Sequence, residues 1–387
     1  MKKGLITKSY ICYSTNQKLS KKRLYFIDAV RAFAILMMLQ GHFIDTLLDV
    51  SYRDDHNTAF SIWKYFRGIT APTFFTISGL IFSYLLIKAK RSGNVAFRIK
   101  KGLYRGLLLI GIGYLLRAPI FQWFYGDFNS PYFLLVDVLQ CIGLSLILVV
   151  GIYKLTFKKT LLFSILMCLL GFAIFLTEPL YRYLDLPNVP KVFANWLTKD
   201  YGSVFNIIPW FGYIAFGAFI ATIFYRYIER PKFKLSIILG FVVFGLALIF
   251  KSGWLLMKLY YLTDFELFKG VANYNYLFIR LGNVLLLFAI FYAAEDYIKQ
   301  PLLLKIGQKT LSIYVIHFII IYGSFTGIGL HQLIGKTLLP WQAIIGAALF
   351  LTTVCFISFY YVKTNAFVYQ HLRKLSDKIR HYKSNFK

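Results

Sequence analysis

Long apolar blocks separated by short polar stretches organise this chain. Ten can be read, at roughly 26–48, 62–87, 103–125, 133–153, 161–178, 207–227, 235–251, 275–294, 311–326 and 341–362. Most approach the ~20 residues that an α-helix needs to cross a bilayer. The pattern predicts an all-α polytopic membrane protein of about ten transmembrane helices. A polar, basic segment over 1–23 precedes one transmembrane domain over 24–362, and a basic tail over 363–387 follows. No internal repeat, low-complexity tract or long linker divides the domain. The first block is too long for a signal-peptide core, which predicts an uncleaved anchor. Between blocks, 179–206 and 252–274 mix Trp196, Trp254, Tyr260 and Tyr261 with polar residues, as interfacial segments do.

The first block breaks its own apolar pattern in an ordered way. Positions 28, 31, 35, 38, 42, 45 and 49 advance by alternating threes and fours, which places Asp28, Arg31, Ile35, Met38, His42, Asp45 and Asp49 on one stripe of a helix. Arg31 and His42 are three turns apart and face the same way, separated by about 16 Å along the axis. An ionisable side chain in hydrocarbon is costly, so it is read first as facing a cavity or a partner. The plainer readings are an Asp28–Arg31 pair at i, i+3 and a His42 bonded to a neighbouring carbonyl.

Composition agrees with a membrane setting, at 58% hydrophobic, 19% aromatic and 16% charged. The net charge of +28 raises the question of nucleic acid, and the distribution of charge answers it. With the amino terminus placed in the cytoplasm, inner segments hold 31 Lys and Arg and outer segments 11, so every second loop is basic. The basicity is topological, both termini are expected to be cytoplasmic, and anionic lipid is its partner. Nucleic acid is not expected. Inner loop 88–105 carries seven cations in eighteen residues, among them Arg98, Lys100, Lys101 and Arg105. It reads first as a membrane anchor, and second as a docking surface for a polyanionic cytoplasmic cosubstrate. Cys141, Cys168 and Cys355 fall in apolar blocks and Cys12 in the leading segment, which gives neither a disulfide framework nor a metal motif.

Alternating topology assigns each buried polar group a height. Asp137 and Gln140 in VDVLQCIG, Arg280 with Asn283, His317 in LSIYVIHF and Arg67 before TAPTFF all fall in the outer half or near the midplane, at the level of His42. One outward pocket is expected to collect them, with Arg67, Gln140, Arg280 and His317 lining the substrate space. The alternative is that Asp137 and Arg280 pair with each other or with backbone to fix helix packing.

The opening run RLYFIDAVRAFAILMMLQGHF resembles the first helix of transmembrane acyltransferases, in which an arginine, ten residues and a histidine recur, here Arg31 and His42. RGITAPTFFTISGLIF (67–82), VDVLQCIGLSLIL (136–148), NIIPWFGYIAFGAFIA (206–221) and IGQKTLSIYVIHF (306–318) are similar in order to the heparan-α-glucosaminide N-acetyltransferase catalytic domain and its bacterial relatives. The acyltransferase-3 branch shares the first motif. One departure is Ala32, where relatives commonly have Gly after the arginine.

The resemblance implies acetyl-CoA on the cytoplasmic side, a catalytic histidine, a carbohydrate acceptor on the far side and a bacterial cytoplasmic membrane. Laid on the residues, it makes His42 the general base, with Asp137 or Asp45 orienting its second nitrogen. Arg31 and Asp28 would stand at the cofactor neck, and Arg98, Lys100, Lys101 and Arg105 at the nucleotide phosphates. No metal is expected. A transient acetyl-histidine is left open, as are amine against hydroxyl acceptor and monomer against homodimer. The rival reading is a transporter or flippase that uses the buried Arg, His and Asp as a pathway.

Overall fold

The computed structural model describes residues 24–127 and 130–360. The expected leader, with Cys12, and the expected tail lie outside the described residues. Those described are 80% helical and contain no strand, as the apolar blocks require. In chain order the principal helices are α1 Tyr25–Leu47, α2 Thr58–Arg91, α3 Val95–Arg117, α4 Val138–Leu155, α5 Thr160–Leu176, α6 Ile207–Tyr227, α7 Phe233–Phe250, α8 Tyr276–Ala293, α9 Pro301–Gln308 and α10 Thr310–Tyr322. The last, α11, is Pro340–Tyr360.

Seven of these are long and apolar enough to cross a bilayer, namely α1, α2, α4, α6, α7, α8 and α11. An eighth arises if α9 and α10, bent by 71° at their junction, form one broken span. The expected ten is therefore not reached on length and composition. Where 103–125 was expected, α3 starts earlier, and its first turns carry Arg98, Lys100, Lys101 and Arg105. It ends at Arg117 because Pro119 disfavours helical backbone at Ala118 and cannot extend the helix itself. The 17 residues of α5 are short for a span. At its far end α10 closes on Gly323, whose φ of 78° is the left-handed stop that glycine makes cheaply.

Local signals set the ends near the site. Asn57 accepts from the backbone N–H groups of Ala59 and Phe60 to start α2. Asp137 starts α4, its Oδ1 accepting from Val138 N at 2.9 Å, while Gln140 Oε1 accepts from Asp137 N at 3.2 Å.

The helices pack through small residues, as they must where lipid offers no hydrophobic drive for association. Gly79 of α2 lies against the Ile214 carbonyl of α6, and Gly217 of α6 against the Thr76 carbonyl of α2, so a Cβ at either would overlap backbone. Gly106 and Gly143 face each other between α3 and α4, as do Gly245 and Gly282 between α7 and α8. The most enclosed helix is α6, whereas α7 and α11 turn most of their surface outward. In the interior, α1 touches α2, α8, α9 and α10. Phe26 stacks on Phe224 at 5.7 Å and meets Tyr292 at 4.6 Å, which locks α1 to α6 and α8. Among the interfacial segments, buried Glu178 binds Arg182, whose guanidinium lies 4.4 Å over Tyr274. That ties 179–206 to the start of α8, and the carboxylate holds Arg182 still more firmly protonated.

Candidate active site

The polar stripe of α1 forms a seam with α10. At one end Arg31 Nη2 donates to Thr310 Oγ1 at 2.7 Å, and at the other His42 Nδ1 lies 2.9 Å from the Tyr322 hydroxyl. These contacts are eleven residues apart on α1 and twelve apart on α10, about 16 Å and 18 Å of helix rise. The two helices thus run side by side in the same direction. Thr310, Tyr314, Phe318 and Tyr322 recur every fourth residue on α10, and His317 stands beside them.

The imidazole of His42 is held by Tyr322, whose hydroxyl occupies the nitrogen that sequence reasoning gave to a carboxylate. The ring of His317 is 5.3 Å from that of His42, centroid to centroid, and the ring of Tyr314 meets it edge to face at 4.8 Å. His317 is completely buried, and neither ring nitrogen has a hydrogen-bond partner. Phe318 packs against Tyr322 with the rings tilted and their centroids 4.8 Å apart.

The two expected orienting acids are engaged elsewhere. Asp45 forms an ion pair with Arg67 of α2, whose guanidinium also lies over Trp63. The Trp63 indole in turn donates to Gln40 Oε1 at 2.8 Å. Asp137 receives Arg117 Nη2 at 2.8 Å and spends its other oxygen on the α4 cap. Through space, Asp137 and Arg67 are still the charges that act on His42, so of the two acids Asp137 reaches the site from behind its arginine and Asp45 is represented there by its partner Arg67. Arg117, inside the third apolar run and the last residue of α3, was readable as an intramembrane charge and was not singled out.

The remaining expected lining residues separate. Gln140 is fully buried and spent locally, since Oε1 closes the cap, Nε2 donates to Leu135 O, and the side chain fills the space before Gly113. Arg280 lies over the Tyr276 ring at 5.1 Å, beside Gly68 and close enough to act on Arg67. Asn283 Oδ1 accepts from the Tyr65 hydroxyl at 2.7 Å. Arg67 and Arg280 therefore stand together at the His42 end of the seam, whereas Gln140 belongs to the scaffold.

At the other end, Arg31 senses Asp28 on its own helix and Arg105 of α3. Of the basic loop and first turns of α3, Arg105 is the residue whose charge acts on Arg31. Lys100 and Lys101 are exposed and Arg98 is half-buried, and none of the three forms an ion pair among the described residues. Two guanidiniums near enough for their charges to interact suit a phosphate-bearing ligand. Among the described residues, no group of three or more His, Cys, Asp or Glu is placed to hold a metal ion.

The described fold is a helical membrane protein with two neighbouring imidazoles at one end of an interhelical seam, groups suited to proton transfer, and an arginine at the other, a group suited to binding an anion. The family described as heparan-alpha-glucosaminide N-acetyltransferase, catalytic, matches residues 23–262, and the chain belongs to that family. The match takes in Arg31, His42, Arg67, Arg105, Arg117 and Asp137, and ends before Arg280, His317 and Tyr322. No curated protein matches the chain.

Proposed function

We propose that this protein is a membrane-embedded acetyltransferase that takes an acetyl group from cytoplasmic acetyl-CoA and passes it along the α1–α10 seam to a carbohydrate acceptor on the opposite face of a bacterial cytoplasmic membrane. The observation that carries the reading is the seam itself, with Arg31 on Thr310 at one end and His42 on Tyr322 at the other. Arg31 and Arg105 would hold phosphate at the inner end, with Lys100, Lys101 and Arg98 as an outlying cationic approach. The ~16 Å between Arg31 and His42 suits an extended pantetheine arm.

In this reading Nδ1–H of His42 donates to the Tyr322 oxygen, which leaves Nε2 with its lone pair free. Nε2 takes the proton from the acceptor hydroxyl or amine as that atom bonds to the acetyl carbon. The carbon–sulfur bond then breaks, and the imidazolium returns the proton to the departing thiolate. Acetyl-CoA and acceptor become acetylated acceptor and CoA, with no net proton left on the enzyme. Tyr322 takes the orienting part that a carboxylate has in a catalytic triad. Arg67, paired with Asp45, and Arg280, stacked on Tyr276, would face the acceptor.

Purified protein given radiolabelled acetyl-CoA and a panel of amino and neutral sugars should yield labelled sugar, and His42→Ala should abolish it. Transfer that continues unchanged in His42→Ala would remove the assigned base. A transporter would move label or sugar across a vesicle without forming acetylated product.

A further inference from the structure

His317 is a buried imidazole with no hydrogen bond, set against the ring of His42. A neutral imidazole always carries one N–H. Leaving such a donor buried and unpartnered is costly, so an unsatisfied one inside a well-packed helix pair calls for a reason. The carbonyls of Ile313 and Tyr314, one turn back, are nearby backbone acceptors, but neither meets hydrogen-bond geometry with a ring nitrogen. Nor do the neighbours complete it, since Tyr314 meets it edge to face, Phe318 is apolar, and the Tyr322 hydroxyl belongs to His42. The other groups that share this end of the seam are engaged, with Gln140 in the α4 cap, Asp137 on Arg117 and Asp45 on Arg67.

We propose that His317 is a second catalytic residue, whose N–H holds the acetyl carbonyl oxygen as negative charge builds on it. The assignment rests on the acetyl-transfer reading and deepens it. The two imidazoles divide the work, with His42 taking the acceptor's proton and His317 supplying the donor that the developing oxyanion needs. A neutral imidazole is competent for this electrophilic part. As the acceptor bonds to the acetyl carbon, the π pair of the C=O moves onto the oxygen beside His317. It returns when the C–S bond breaks, and no proton leaves His317. The arriving oxygen also supplies the partner that the buried N–H lacks.

Two readouts test this. The first is infrared spectroscopy of [1-13C]acetyl-CoA bound to the full-length protein without acceptor. The labelled carbonyl should absorb at lower frequency when His317 is present than in His317→Leu, with acetyl-CoA affinity unchanged. The second is steady-state transfer to whichever sugar of the panel the wild type acetylates best. There His317→Leu should lower kcat by about 100- to 1000-fold, as loss of one oxyanion donor does, with KM for acetyl-CoA unchanged. His317→Gln, which keeps an N–H donor, should recover part of the rate. The same carbonyl band in both proteins, or a kcat within threefold of wild type in His317→Leu, overturns the proposal. If His42→Ala is dead while His317→Leu is fully active, this inference fails and acetyl transfer survives. If the wild type acetylates none of the panel, both fall.

Discussion

Tyr322→Phe removes one oxygen and leaves the ring that packs against Phe318 at 4.8 Å, so the fold should be unaffected. What is lost is the 2.9 Å bond that holds Nδ1 of His42. A buried group left without its partner costs about 1–3 kcal/mol. If that cost falls on the transition state, where the imidazole becomes an imidazolium and its N–H most needs an acceptor, kcat should drop about 5- to 150-fold. Affinity for acetyl-CoA should not change, because the hydroxyl touches the base and not the nucleotide. The assay is steady-state transfer with acetyl-CoA varied at saturating acceptor, beside a binding isotherm for acetyl-CoA. A kcat equal to wild type, or a raised KM at constant kcat, would refute the reasoning, since the second pattern marks a group that binds ground state and transition state alike.

At the other end of the seam, Arg31→Ala and Arg105→Ala should each raise KM for acetyl-CoA by about 10- to 150-fold, the loss of one charge-assisted contact. Joint neutralisation of Arg98, Lys100 and Lys101 should raise it less, and equal effects would mean that the pairing of Arg31 with Arg105 has no special standing. For the fold, Gly79→Ala drives a methyl into the Ile214 carbonyl, so the detergent-solubilised protein should be destabilised by about 1–3 kcal/mol or fail to assemble. A melting temperature equal to wild type would contradict the α2–α6 contact. On the surface, Lys299 and Lys234 together hold Asp296 down to about 2 from 3.8. A depressed carboxylate contributes stability above its unfolded value and loses it as pH falls through its folded one. Asp296→Asn should therefore lower thermal stability slightly at pH 7, and the difference should vanish between about pH 4 and pH 2. A constant difference across that window would show that the two lysines do not bind the carboxylate.

How far the sequence foretold the site follows from the range of each interaction. Arg31 and His42 were legible because their spacing is a property of one helix, and the cost of burying them makes the pattern conspicuous. Tyr322 was not, because a tyrosine in an apolar helix end is ordinary and only the packing of α10 on α1 brings it to Nδ1. Asp137 was visible, yet its partners were not, although Asp137 and Gln140 at N-cap and N3 spell a capping box that local reading alone could have named. The span count fell short of ten for a similar reason. Hydropathy does not register that Pro119 stops α3 early, or that Gly323 and the bend before Thr310 leave α10 a short helix.

The most direct test of the account is a cryo-electron microscopy map of the protein with CoA bound. The account predicts nucleotide phosphates against Arg31 and Arg105, the pantetheine arm along the seam between α1 and α10, and the sulfur within reach of His42 and His317. Density for CoA elsewhere, or a seam closed by apolar side chains between Arg31 and His42 with the ligand held outside it, would contradict it.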